Sequence, residues 1–317
     1  MRKFIVALFA VALAAGAALG QSTGAPTLRI VTEDGNKLPA ELMYGNTKVK
    51  PLRLRPGTNT PITIDDADFF VQQHYVDFLS RFPDQGGFAF WQNEITSCAS
   101  NVQCIDVKRQ NVSAAFFLSI EFQQTGYLVY RMYKAAYGNL PGAPVPVRRE
   151  SFMPDTRSIA DGVVVGTAGW PERLEANKNA FALAFVQRSD FTAAYPSNMT
   201  AEQFVTKMDQ NSGDALDAAE HAALVAELGA TPNDPQKRAN VLRRVAEDQT
   251  LHDAEFNKAF VLMQYFGYLK RNPNDLPDTG YGGFNFWLKK LDDNNGNFIQ
   301  AQMVAAFINS IEYRSRF

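Results

Sequence analysis

The sequence FVQQHYVDFLSRFP, residues 70–83, decides the fold because it recurs near the other end of the chain as FVLMQYFGYLKRNP, residues 260–273. Phe, Val, Tyr, Leu, Arg and Pro are identical in the two copies. Apolar residues of the first copy follow the spacing i, i+4, i+7, i+8 and i+11, which predicts an amphipathic helix: they are Val71, Tyr75, Phe78, Leu79 and Phe82. Pro83 and Pro273 are expected to end the two helices, since proline lacks an N–H and disfavours helical geometry before it.

Two further blocks repeat in the same order. GGFAFW at 86–91 matches GGFNFW at 282–287, and SAAFFLSIEF at 113–122 matches VAAFINSIEY at 304–313. The three blocks together share 17 of 30 aligned positions. Each unit is expected to contain about three helices. The second should begin after the glycines, near Phe88 or Phe284, and the third should end near the Glu–aromatic pair. One such unit exposes too much apolar surface to be stable alone, so stacked units are expected.

The repeats predict an all-α protein built of tandem three-helix-type units, with a short extended or β arm at its N-terminus. A degenerate unit is expected between the two clear copies, since Ala184-Phe185, Asp190-Phe191 and Glu255-Phe256 echo the closing block. The predicted segments are a signal peptide (1–20), an extended arm (21–66), a first unit (67–140), a linker with a partial repeat (141–200), a degenerate unit (201–258) and a last unit (259–317).

The first twenty residues have the pattern of a signal peptide. Arg2 and Lys3 precede an apolar run, and Ala18-Leu19-Gly20 offers a small-x-small cleavage site. We therefore expect a secreted or periplasmic protein without a membrane span in the mature chain, with a retained anchor helix as the alternative. In an oxidising compartment, Cys98 and Cys104 are expected to form a structural disulfide. A metal pair is the alternative interpretation, although no further ligand stands near them in the sequence.

Composition excludes several classes of function. Lys+Arg 31 against Asp+Glu 33 gives a net charge of −2, which argues against a nucleic-acid binder or a basic membrane-surface protein. Three histidines and two cysteines are too few for a disulfide-dense scaffold and leave little for a metal cluster. Neither Gly-x-Ser-x-Gly nor a P-loop occurs, so no catalytic set or bound cofactor is predicted.

The pattern Tyr75-x2-Phe78-Leu79-x-Arg81-x-Pro83-Asp84-x2-Gly87-x3-Trp91, closing with Ser119-x-Glu121-Phe122, resembles the bacterial domain-of-unknown-function family numbered 4214. That module is distantly similar to the helical domain of phycobilisome linker proteins. The last unit follows a similar pattern, with Tyr268 and Tyr313 in place of two phenylalanines and an insert after Pro273. The resemblance implies all-α modules, often in tandem, in exported or surface proteins, and it assigns no chemistry.

Charged and aromatic residues shared by the two copies are the candidate sites. Arg81 with Glu121, and Arg271 with Glu312, favour a buried ion pair tying the first helix to the third. A general acid in a cleft is the alternative, which requires a second carboxylate near the glutamate. Trp91 and Trp287 are expected to be core residues, with a sugar-stacking platform as the alternative.

Acidic residues near the last unit could bind calcium through their oxygens. The candidates are Asp275, Asp278, Asp292 and Asp293, although the 292–296 loop lacks the residue order of an EF-hand. Asn-Gly turns without metal are the favoured interpretation. His74, His221 and His252 share no spacing and are expected to be solvated or core residues.

Two functional hypotheses follow from these patterns. The first is a non-catalytic exported module that binds an extracellular or periplasmic protein or polysaccharide, with its shared residues mostly buried and its inserts exposed. The second is a carbohydrate-active enzyme using Glu121 or Glu312, or a calcium-dependent glycan-binding protein. The first hypothesis expects the shared arginines, acids and tryptophans to hold the fold together rather than to line one accessible cavity.

Overall fold

The computed structural model describes residues 28–32 and 39–317, and the side chains from residue 42 onward. The predicted signal peptide lies outside the described residues. The arm forms an antiparallel sheet in the order β1-β2-β3, with strands at Leu28–Thr32, Pro39–Tyr44 and Thr47–Val49. After β3, Leu54 forms an isolated antiparallel bridge with Pro61.

From residue 67 onward the described chain is helical, which confirms the all-α prediction. The helices are α1 Ala67–Leu79, α2 Gln85–Thr96, α3 Val102–Leu118, α4 Ile120–Gln124, α5 Gly126–Tyr137, α6 Arg149–Ala160, α7 Trp170–Phe185, α8 Ser189–Ala194, α9 Ala201–Ser212, α10 Ala218–Leu228, α11 Pro235–Ala246, α12 Gln249–Gln264 with a π-helical turn at Tyr265–Leu269, α13 Gly282–Asp293, α14 Met303–Asn309 and α15 Ile311–Arg314. None of these helices has both the length and the apolar character that crossing a bilayer requires.

The opening helices of the first and last units end at Leu79 and Leu269, four residues before the prolines that were expected to end them. Phe82 therefore lies outside α1 and is exposed, contrary to its predicted place on the apolar face. After α1, Ser80 takes a left-handed conformation (φ 54°), and its counterpart Lys270 does so after the π-helical turn (φ 57°). The next helices begin at Gln85 and Gly282, slightly before the predicted starts near Phe88 and Phe284. In the first unit Asp84 caps α2, because its side chain accepts a hydrogen bond from the Gly87 N–H at 2.8 Å.

The prediction that the third helix ends near the Glu–aromatic pair is wrong. Ser119 has extended geometry (ψ 146°) and ends α3, and its hydroxyl accepts from the Phe122 N–H at 3.1 Å to begin α4. Ser310 has ψ 145° and accepts from the Tyr313 N–H at 3.1 Å to begin α15. The Ser-x-Glu-aromatic sequence is therefore an N-cap that adds a fourth, short helix to each of these units.

A similar break occurs twice in the middle of the chain. Arg188 (ψ 148°) precedes α8, so Asp190-Phe191 begins a helix rather than closing one, and Asp248 (ψ 140°) precedes α12. The side chain three residues after each break is fully buried, namely Phe191 and Leu251. Glu255-Phe256 lies in the middle of α12, so its prediction as a pair that closes a helix is wrong.

The first and last units pack against each other through their opening helices. Phe78 and Tyr268, which are counterparts in the repeat alignment, lie with ring centroids 5.0 Å apart. Gly267 has no room for a Cβ because the Phe78 ring covers it. Tyr268 also hydrogen-bonds to Ser113 of α3. The two units therefore meet through equivalent surfaces, as in an isologous contact between subunits.

The two cysteines form the predicted disulfide. Cys98 follows α2, Cys104 lies in the first turn of α3, and their Cα atoms are 5.6 Å apart. Both cysteines lie between the second and third repeated blocks, where the first unit is longer than the last. These extra residues were expected to be exposed, but Cys98 is buried.

Candidate functional site

The shared arginine and glutamate of the first unit form the predicted ion pair. Arg81 donates from Nε and from a terminal nitrogen to the two carboxylate oxygens of Glu121, at 2.8 Å each. Its other terminal nitrogen donates to the Phe82 carbonyl oxygen at 3.0 Å and lies 3.5 Å from Asp84. The guanidinium thus joins the end of α1 to the cap of α2 and to α4.

The last unit repeats this arrangement with one difference. Arg271 donates to both oxygens of Glu312, at 2.6 and 3.1 Å. Asp278 takes the place of Asp84 but accepts directly from the guanidinium at 2.8 Å. A third arginine–carboxylate fork, which sequence reasoning missed, joins Arg188 to Asp155 at 2.7 Å for both contacts. Each fork links helices that are distant in sequence.

In both units a tyrosine side chain requires a glycine at the start of the second helix. A Cβ on Gly87 would collide with the hydroxyl of Tyr75, and a Cβ on Gly283 would collide with that of Tyr265. Burial raises the pKa of both tyrosines to about 12, and the nearby carboxylates of Asp84 and Asp278 add to this effect. Both phenols are therefore neutral at ordinary pH.

Four apolar residues that are identical between the units are exposed, contrary to the expectation that shared residues are buried. Phe90 and its counterpart Phe286 are 57% and 53% exposed, and Ile120 and Ile311 are 57% and 88% exposed. Trp91 and Trp287 are only partly buried, and each packs edge-to-face on the phenylalanine before it. Packing within the fold does not account for retaining large apolar side chains at exposed positions in both units.

A cavity of about 290 Å³ opens beside the ion pair of the first unit. Its lining includes Trp91, Ile120, Phe116 and the charged side chains of Arg81, Asp84 and Glu121. Val165, from the connection between α6 and α7, completes the wall. The expectation that the shared side chains serve packing alone is therefore wrong for the first unit, where they also face accessible space.

The cavity brings two carboxylates together but leaves neither arranged as a general acid. Both oxygens of Glu121 accept hydrogen bonds from Arg81, so this carboxylate is held in an ion pair. The Gly87 N–H donates to Asp84, which lowers the pKa of Asp84 and favours its charged form. A proton donor for glycoside cleavage needs the opposite environment, one that keeps a carboxyl protonated.

The two ion pairs should differ in their contribution to stability because they differ in burial. The side chain of Glu121 is 5% exposed and that of Glu312 is 35% exposed. We expect Glu121→Gln to lower the free energy of unfolding by about 2 kcal/mol, since it removes the charge of a buried carboxylate that accepts two hydrogen bonds from Arg81. The matched variant Glu312→Gln should cost less than about 1 kcal/mol. Urea denaturation of both variants measures this, and equal losses would contradict the difference in burial.

The four acidic calcium candidates each have a protein partner. Asp275 accepts from Arg148 and Asp278 from Arg271, while Asp292 accepts from Asn257 and Asp293 from Lys289. Within residues 28–32 and 39–317, no group of three or more His, Cys, Asp or Glu side chains is arranged to hold a metal ion.

The three histidines occupy different environments. His74 is buried between the first and last units, where its Nδ1–H donates to the Phe70 carbonyl oxygen at 2.7 Å. His221 lies 3.2 Å from Thr206, and His252 lies beside the ring of Tyr127. They share no site, as their spacing predicted.

No protein-family model matches the chain, and no similar protein was found among the curated proteins or the solved structures. The resemblance to family 4214 therefore remains a prediction from the quoted residues.

Proposed function

We propose that this protein is a non-catalytic, exported binding module that attaches to an extracellular or periplasmic protein or polysaccharide. The proposal rests on one observation: Phe90, Trp91 and Ile120 form a partly exposed apolar surface, and the last unit presents the same three residue types at equivalent positions. We name these residues the first platform, and Phe286, Trp287 and Ile311 the last platform. Exposed aromatic and aliphatic side chains retained in both units are typical of recognition surfaces.

The surroundings of the first platform favour binding over catalysis. The Arg81–Glu121 pair fixes α4, which carries Ile120, relative to α1 and α2. The charged groups beside the platform therefore position its residues and are themselves engaged by hydrogen bonds. Export is supported by the N-terminal sequence pattern and by the disulfide between Cys98 and Cys104.

Co-sedimentation of the full chain with washed cell-envelope material tests the proposal. We expect wild-type protein to sediment with the envelope, and Phe90→Ser/Ile120→Ser to bind at least ten times less. The control Val102→Ser/Val107→Ser removes two exposed apolar residues of α3 in the same unit that lie outside the repeated blocks, and it should bind like wild type. An equal loss of envelope binding in both double variants would indicate nonspecific adsorption through exposed apolar side chains and would contradict the proposal.

A chelator arm separates this proposal from a calcium-dependent one. Binding through the platforms should persist in excess EDTA, because no acidic cluster takes part in it. Loss of binding with EDTA, and its return with added calcium, would favour the calcium-dependent alternative.

A further inference from the structure

We infer that the cavity beside the first platform binds one neutral sugar ring of a polysaccharide. This inference rests on the proposed function and names the chemistry of its partner. At about 290 Å³ the cavity lies at the small end of ligand sites, which favours a single ring over an extended ligand.

The charges in the cavity disfavour an ionic ligand. Arg81 directs its donors to Glu121, Asp84 and the Phe82 carbonyl, so its positive charge is already compensated. Two carboxylates around one guanidinium leave the site with an excess of one negative charge, which repels phosphates and carboxylates. A ligand with an ammonium group would be repelled by the guanidinium of Arg81, which lines the same small cavity. A neutral ligand avoids both repulsions.

The polar atoms that remain suit a ligand rich in hydroxyl groups. A carboxylate oxygen carries two lone pairs, so Glu121 and Asp84 retain acceptor capacity beyond their contacts with Arg81 and Gly87. The lining also includes the apolar side chains of Trp91, Phe116, Ile120 and Val165. A pyranose ring presents O–H donors around its edge and C–H groups on its face, and C–H groups are attracted to the negative face of an indole.

A lysine over the aromatic rings of the last platform distinguishes it from the first platform, and we therefore place the sugar site in the first unit only. Lys290 lies over the rings of the last platform, 5.5 Å from the Phe286 centroid and 5.9 Å from the Trp287 ring. The residue at the same spacing after Trp91 is Glu94, which binds Lys108 at 2.5 Å. The last unit thus places its own cation over its aromatic rings, while the first unit has an acidic residue at that position.

Affinity electrophoresis of the full chain in native gels tests this inference. Each gel contains one neutral polysaccharide: hydroxyethylcellulose, a β-1,3-glucan, xylan, galactomannan or dextran. We expect retardation in at least one gel, and at least tenfold weaker retardation for Ile120→Arg, which places a long side chain over the cavity. Because Ile120 is exposed, the substitution leaves the core unchanged. The matched control Ile311→Arg should be retarded like wild type.

Two results would overturn the inference. Wild-type protein could migrate normally in all five gels, or Ile120→Arg and Ile311→Arg could be retarded equally. If either result occurs while envelope binding still depends on Phe90 and Ile120, the binding module remains supported and its partner is not a neutral polysaccharide. Retention on immobilised polylysine instead would assign the cavity to a cationic protein partner.

Discussion

We expect Asp77→Asn to lower the free energy of unfolding by about 3–5 kcal/mol, because it removes a carboxylate shared by two cations between the units. Asp77 is almost fully buried, and Arg316 donates to its two oxygens at 2.8 and 2.9 Å. Lys270 lies 2.9 Å from the same carboxylate. Burial by itself raises the pKa of Asp77, but the charges of Arg316 and Lys270 outweigh it and lower the pKa to about 2.

The control for this variant is an exposed ion pair across the same two units. Asp65 precedes α1 and pairs with Arg314 of α15 at 2.5 and 2.8 Å. Because both side chains are accessible to water, Asp65→Asn should cost less than about 1 kcal/mol. Urea denaturation at pH 7 measures both variants. A loss for Asp77→Asn no larger than that for Asp65→Asn would show that the buried cluster does not hold the units together.

The second large effect is a loss of stability in mild acid caused by His74. Burial is the main reason why the pKa of His74 is lowered to about 4. The charges of Arg109 and Arg316 act in the same direction, and the Phe70 carbonyl and Asp77 oppose them. Between pH 6.5 and pH 4 the unfolded chain binds a proton that the folded chain excludes. The free energy of unfolding should therefore fall by about 3 kcal/mol as the pH drops across this range.

The chain itself supplies the matched control, since the counterpart of His74 in the last unit is Gln264. In His74→Gln the decrease between pH 7 and pH 4 should be smaller than in wild type by about 3 kcal/mol, whatever the variant's stability at pH 7. Denaturation curves at half-unit pH steps measure the difference. Parallel pH profiles for the two proteins would rule out His74 as its source.

The repeated blocks were sufficient to predict much of the fold and part of the site. Helical spacing located α1, although Pro83 placed its end four residues too late, and the recurrence of Arg81 with Glu121 predicted an ion pair that the structure contains. The role of Ser119 was missed because a serine before an acidic residue fits a helix interior as well as an N-cap in sequence alone. Its extended backbone angle shows that it is the cap.

The cluster around Asp77 could not be predicted from the repeat, because none of its members is repeated. The counterparts of Asp77, Lys270 and Arg316 are Gly267, Ser80 and Thr125. Where equivalent surfaces meet, an identical charge on both sides would face itself and repel. An acid on one unit facing cations on the other requires that the two sequences differ there.

The sequence by itself determined that the chain is helical and that an arginine and a glutamate pair within a unit, because these depend on local periodicity and on the recurrence of the same blocks. Only the tertiary structure decided that Phe90 and Ile120 stay exposed beside a cavity and that Asp77 is buried among cations. Exposure and burial of these residues depend on which surfaces the other units cover, and that is set by contacts between segments up to 249 residues apart.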